Sequence, residues 1–189
     1  RAFVGATIGT LTVCSRSLRA AEFTFTQYHN QTTGSALHTR IVEMWDAIRV
    51  ETRGRVETQV FPQNNGIQGS DPAALKALVA GDIQFFTLMG GVLGTLIPPA
   101  EVQQVPFAFR TAAQAHKAID GPLGAYLREE MTAKGLHGFA VGGFDNGMRQ
   151  ITSVKRPIVM PADLNGVRMR VPAGQMIADT FKAFGAEQL

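Results

Sequence analysis

Apolar residues recur along this chain in two alternating rhythms, and that alternation predicts the fold class. Phe23, Phe25 and Gln27-Tyr28 carry the every-second-residue rhythm of a strand. A polar, glycine-containing stretch follows at 29–34. Then Leu37, Ile41, Met44, Trp45 and Ile48 fall at helical spacing, with Arg40, Glu43, Asp46 and Arg49 outside. Gly54 marks the end of that helix. Val56, Thr58 and Val60 alternate again, and 62–69 reads as a loop. Asp71-Pro72 combines a helix-capping acid with a first-turn proline, so 71–80 is predicted helical up to Gly81. The apolar run 83–89 reads as a third strand. Strand, helix, strand, helix, strand in this order implies a parallel sheet covered by helices.

Beyond residue 110 the pattern is more broken. Thr111-Ala112-Ala113-Gln114 has the form of a capping box and predicts a helix. Pro122 opens another, through Leu123, Tyr126, Leu127 and Met131 to Gly135. Segments 138–143 and 148–153 read as strands around the turn Asp145-Asn146-Gly147. Residues 167–171 read as a strand and 174–184 as a helix ended by Gly185. No internal repeat or low-complexity linker interrupts the 189 residues.

Charge changes this picture in two places. Of the 18 basic residues, Arg1, Arg16 and Arg19 precede the first acid, Glu22; the remaining 15 face 15 acids. The body is therefore neutral, which argues against a nucleic-acid surface. A basic start, a mildly apolar stretch at 2–13 and the small pair Ala20-Ala21 together form a signal or targeting segment over 1–21. Cys14 falls inside it, so the body has no thiol and no disulfide is expected. The second place is 149–170, where Arg149, Lys155, Arg156, Arg168 and Arg170 face one acid, Asp163. In 167–171 the two arginines alternate with Val167, Met169 and Val171. Both guanidiniums then occupy one face and the apolar side chains the other. A neutral body with one cationic strand suits a small anion.

Convergent reactive groups are missing. His29, His38, His116 and His137 are not at metal-ligand spacing, and no Gly-Xaa-Ser-Xaa-Gly elbow occurs. Gly90-Gly91-Val92-Leu93-Gly94 is one residue short of the dinucleotide pattern and reads as a tight turn lining a cleft. His38 and Asp46 fall on the outer side of their helix and read as solvated; Trp45 reads as core. The expectation is a binding protein with no cofactor, not an enzyme.

The ordered series Asn146-Gly147-Met148-Arg149-Gln150-Ile151-Thr152-Ser153, Lys155-Arg156-Pro157-Ile158 and Pro161-Ala162-Asp163-Leu164-Asn165-Gly166-Val167-Arg168-Met169-Arg170-Val171-Pro172 resembles the signature of the DctP-type substrate-binding proteins of tripartite ATP-independent periplasmic (TRAP) transporters. Thr52-Arg53-Gly54-Arg55-Val56-Glu57, Phe61-Pro62, the helix at 75–81 running into Asp82-Ile83, and Pro106-Phe107 extend the likeness. The resemblance implies a periplasmic-binding-protein-like α/β fold, with two α/β domains, a hinge and an interdomain cleft. The first domain would occupy 22–143, and 144–189 would begin a second domain left incomplete in this chain. It implies that Arg170 pairs with a ligand carboxylate and that Arg149 is a second polar contact. His29 and Asn30, after the first strand, and Met89 and Gly90, after the third, would line the cleft. The polar residue many members place after Arg-Val-Pro is absent, since Ala173 and Gly174 stand there.

The implied partners are a small organic acid and TRAP permease subunits. The implied place is the periplasm, with a monomeric protein that does not insert in the membrane after signal removal. A ligand-sensing domain of a receptor or regulator shares the two-lobed plan, and so does an ATP-driven uptake protein. A half-built second domain is expected to leave a strand edge and apolar surface exposed, to bind ligand weakly or not at all, and to aggregate.

Overall fold

The computed structural model describes residues 20–67, 71–145, 147 and 149–189. Nearly all of the expected signal segment, with Cys14, lies outside them, as do Gln68, Gly69, Ser70, Asn146 and Met148.

The first half is built as its rhythms predict. Strand β1 (Phe23–His29) leads through helix α1 (Ala36–Glu51) to β2 (Val56–Phe61), and helix α2 (Asp71–Ala80) leads to β3 (Phe85–Thr87). The three strands form one parallel sheet in the order β2-β1-β3. β1 is therefore central, and its C-terminal end is its dry end: Gln27, Tyr28 and His29 are buried, while Phe23 and Thr24 are exposed. Tyr28 stacks on Phe61 of the neighbouring strand, with centroids 4.6 Å apart. Trp45, half-buried on α1, packs edgewise on Phe85 of β3. Ser35 caps α1 by accepting from the His38 N–H.

Helix α3 (Gly90–Gly94) follows β3 directly and is wholly buried. The glycine run thus opens a short helix instead of the expected tight turn. A 3-10 segment, Pro98–Gln104, then lies across it. α4 (Ala112–Ile119) starts where the capping box predicts. Thr111 accepts from the Gln114 N–H, and Gln114 reaches back to the N–H of Arg110, one residue before the cap. α5 (Pro122–Ala133) completes the layer. Leu75, Val92, Leu93, Ile97, Ala100, Leu127 and Leu136 form the core of this half.

A second, smaller core lies near the C-terminus. A 3-10 turn (Pro161–Leu164), β4 (Arg168–Met169), α6 (Gln175–Ala183) and β5 (Glu187–Gln188) enclose Leu164, Ile177, Phe181 and Ala186. β4 and β5 pair in parallel around α6. Met169 and Val171 pack on this core while Arg168 and Arg170 stay exposed, so the alternation along 167–171 holds.

The described parts of 138–143 and 148–153 are not strands. Extended chain becomes a strand only beside another, and among the described residues none runs alongside it. Phe139 and Val141 are accordingly 60% and 83% exposed, and Ile151 is 46% exposed.

Candidate cleft between the two cores

Parallel α/β sheets place ligands beyond the C-terminal ends of their strands. Here β1 ends at His29-Asn30, and β3, its sheet neighbour, ends at Thr87 and runs into Met89-Gly90. The register His29↔Thr87 brings these two ends side by side.

The His29 ring is fully buried at 0% exposure. Its Nδ1 accepts from the Gln31 N–H at 3.2 Å, so the ring proton must sit on Nε2. That Nε2–H points at Nδ1 of His38, 2.9 Å away. His29 is thus a buried bridge between the end of β1 and helix α1. His38 is not solvated as its helix position predicts; the end of β1 approaches it and half buries it. Burial first, then the neighbouring His38, hold the His29 pKa below the usual 6.5. A depressed histidine pKa means that the unfolded chain binds the proton more readily. Stability is therefore retained above about pH 6.5 and lost as pH falls from there through the lower folded-state value. Melting temperatures at pH 7 and pH 5 are expected to differ less in His29→Gln than in the parent; an equal drop in both would remove His29 from the acid response.

Asn30 is held on both sides of its amide. Its Nδ2 donates to Asp71 at 2.6 Å, and its Oδ1 accepts from Gln31 Nε2 at 2.9 Å. Asn64, in a left-handed conformation, donates to the other Asp71 oxygen at 2.8 Å. One carboxylate at the start of α2 thus fixes the loops that follow β1 and β2. Met89 immediately precedes α3 and is half-buried; Gly90 is buried.

Glycine at 90 and 91 has a packing reason. A Cβ on Gly90 would lie 2.9 Å from the Ala100 carbonyl, and one on Gly91 would lie 2.8 Å from the Ala173 carbonyl. The first close approach lets the Pro98–Gln104 segment lie flush on α3. The second joins the two cores, because Ala173 sits between β4 and α6. Gly174 meets Gly91 at the same point, with φ 141°. Nearby, the Glu101 carboxylate crosses the seam and accepts from the first N–H groups of α6, at Gln175 (2.8 Å) and at Met176. A carboxylate at a helix N-terminus satisfies orphan donors and complements the helix dipole.

The five basic residues of 149–170 now separate by role. Arg156 donates to the Asp163 carbonyl at 2.7 Å and helps shape the turn before β4. Asp163 itself accepts from the Met160 and Val159 N–H groups, in that order the main reasons its carboxyl stays below the usual range. Arg149 donates through Nη2 to Gln104 Oε1 at 2.8 Å. Lys155 and Arg168 are exposed. Arg170, one residue past β4 and three before the Gly91 contact, is exposed, and among the described residues nothing pairs with it. Asn30 is thus tied to Asp71 and Gln31 at the end of β1, Met89 and Gly90 adjoin the Gly91 contact, Arg149 reaches Gln104, and Arg170 follows β4 towards Ala173.

A groove of about 540 Å³ also opens on the seam, lined by Gly94, Thr95, Pro98, Glu101, Gly174, Gln175, Met176 and Asp179. None of the expected ligand contacts lines it, and its charged residues are two acids, which disfavours an anionic guest. The cationic edge at Arg149 and Arg170 is the better candidate. Glu101 and Gln104, which tie the halves together, carried no sequence signal beyond their three-residue spacing after Pro98-Pro99.

The chain and its fold match known proteins. Residues 28–188 match DctP, the bacterial extracellular solute-binding protein family 7. The chain belongs to that family. Among curated relatives, the 2,3-diketo-L-gulonate-binding periplasmic protein YiaO of Escherichia coli is 30% identical over 96% of this chain and 54% of its own length. The C4-dicarboxylate-binding protein DctB of Bacillus subtilis is 33% identical over 75% of this chain and 39% of its own length. A TRAP periplasmic solute-binding protein from Sulfurospirillum deleyianum, solved with succinate, superposes with a TM-score of 0.79 at 27% identity, covering 89% of this chain and 53% of that one. Another from Polaromonas, solved with D-erythronate, gives 0.81 at 26% identity, over 88% and 54%. The α/β architecture of this family 7 chain is thus that of TRAP solute-binding proteins, and the chain spans about half the length of those structures. Among the described residues no helix is long and apolar enough to cross a membrane.

Proposed function

We propose that this chain is the first lobe (22–143) and the beginning of the second lobe (144–189) of an extracytoplasmic solute-binding protein. It captures a small organic carboxylate between the lobes and delivers it to a TRAP-type permease. The carrying observation is Arg170: an exposed guanidinium, without a carboxylate partner among the described residues, just past the strand that leads to the contact between the cores. A guanidinium offers paired coplanar donors that match the two oxygens of a carboxylate and fix its orientation. Arg149 adds a second positive charge, Asn30, Met89 and Gly90 form the opposite wall, and His29 stiffens it. The one polar group common to succinate and D-erythronate, bound by the solved relatives, and the diketo-gulonate of the Escherichia coli name is the carboxylate. That is the group this reading assigns to Arg170. The protein acts as a monomer in the periplasm, without a cofactor.

A thermal-shift panel tests this reading. The full-length protein should melt higher with one or more of succinate, D-erythronate and galacturonate, and not with the matching amides or neutral sugars, because only a ligand of the native state raises the midpoint. Equal shifts with acids and their amides would contradict it.

A further inference from the structure

Among the described residues, Arg149 is the one cation of its segment that hydrogen-bonds to the Pro98–Gln104 strap, and the group it meets there is a neutral amide. Gln104 is half-buried, and its side chain lies against Gly91: its Cγ and Cδ stand 3.5 and 3.6 Å from where a Cβ on that glycine would be. Gly91 in turn touches the Ala173 carbonyl of the second core. Gln104 is therefore anchored at the junction of the two cores. From there its Oε1 fixes one nitrogen of a side chain 45 residues away in sequence. Among the described residues no carboxylate lies within ion-pair distance of Arg149.

The choice of partner has a chemical consequence. A glutamate here would hold the guanidinium equally well but cancel its charge. An amide oxygen accepts one N–H and leaves the full positive charge, with the other donors, for an anion. An unrestrained arginine on an exposed segment would instead lose rotamer entropy each time it bound.

We propose that Gln104 is a positioning residue that pre-orients Arg149 for a carboxylate ligand without neutralising it. The ligand half of this statement rests on the reading of Arg149 as a cleft contact; the orienting half does not, and the test separates them.

In the ligand-free full-length protein, the Arg149 guanidinium should show restricted rotation by ¹⁵N NMR. In Gln104→Leu it should become as mobile as that of Arg168, and in Gln104→Glu it should stay restricted. Affinity is then measured by calorimetry with succinate, D-erythronate and galacturonate. Gln104→Leu should weaken binding about tenfold in the parent and leave it unchanged in an Arg149→Ala background. Gln104→Glu should also weaken binding although order is kept, a pairing that a purely structural glutamine would not produce. Unchanged Arg149 mobility in Gln104→Leu overturns the proposal. So does an equal loss of affinity in both backgrounds. Should none of the acids bind while the mobility result holds, the carboxylate reading fails and the orienting role stands.

Discussion

Arg170→Ala in the full-length protein is expected to weaken binding of the organic acid by about 2–5 kcal/mol, roughly 30- to 5,000-fold. The size follows from what the substitution leaves behind. A carboxylate drawn from water into a closing cleft loses its hydration, and without the guanidinium nothing replaces it. The fold should be unaffected, because Arg170 is exposed and has no partner among the described residues, while Met169 and Val171 carry the packing on the second core. Arg170→Lys keeps the charge but loses the planar fork, and its affinity should fall between the two. Calorimetry with equal affinities for Arg170→Ala and the parent would remove this residue from the site.

Gly124→Ala is expected to cost stability on the order of 3 kcal/mol, the upper part of the range for overpacking. Gly124 lies in the first turn of α5, buried where that helix turns back against the end of α4. A Cβ there would stand 1.6 Å from the Ile119 carbonyl oxygen and 2.7 Å from its carbon. Both are backbone atoms, so no side chain can swing aside. The turn must open, and Ile119, Leu123 and Leu127 shift with it against the main core. For a chain of this size the melting temperature should drop by about 10 °C. Gly34→Ala is the matched control. Nothing lies within 4 Å of its Cβ position, so a change of no more than about 0.5 kcal/mol is expected there. A melting temperature unchanged in Gly124→Ala would mean that α4 and α5 do not meet this closely.

The first sheet was legible because each of its elements carries a complete local rhythm. The Phe23-Phe25 alternation, the Ile41-centred stripe and the Asp71-Pro72 start are each written in a few adjacent residues. Three features were not. The residues of 138–143 and 148–153 alternate well enough for strands, but alternation cannot supply a neighbouring strand to bond to. The glycines at 90–94 suggested a turn because glycine permits one. Here it serves close packing instead, against the Ala100 and Ala173 carbonyls, and those contacts are long-range. His38 faces outward by helix periodicity alone, which does not register the end of β1 arriving beside it. Of the proposed site, Arg170 and Arg149 were visible as an excess of charge in a neutral chain. Gln104 and Glu101 were not, since a polar residue after Pro-Pro reads as any surface residue until the second core comes to rest on it.

The most direct measurement is a crystal structure of the full-length protein with a bound organic acid. The account predicts a ligand carboxylate paired to the Arg170 guanidinium by two roughly parallel N–H···O hydrogen bonds of about 2.7–2.9 Å. Arg149, still held by Gln104, should lie on the same side of the cleft. An acid seated elsewhere, with Arg170 pointing into solvent, would contradict it.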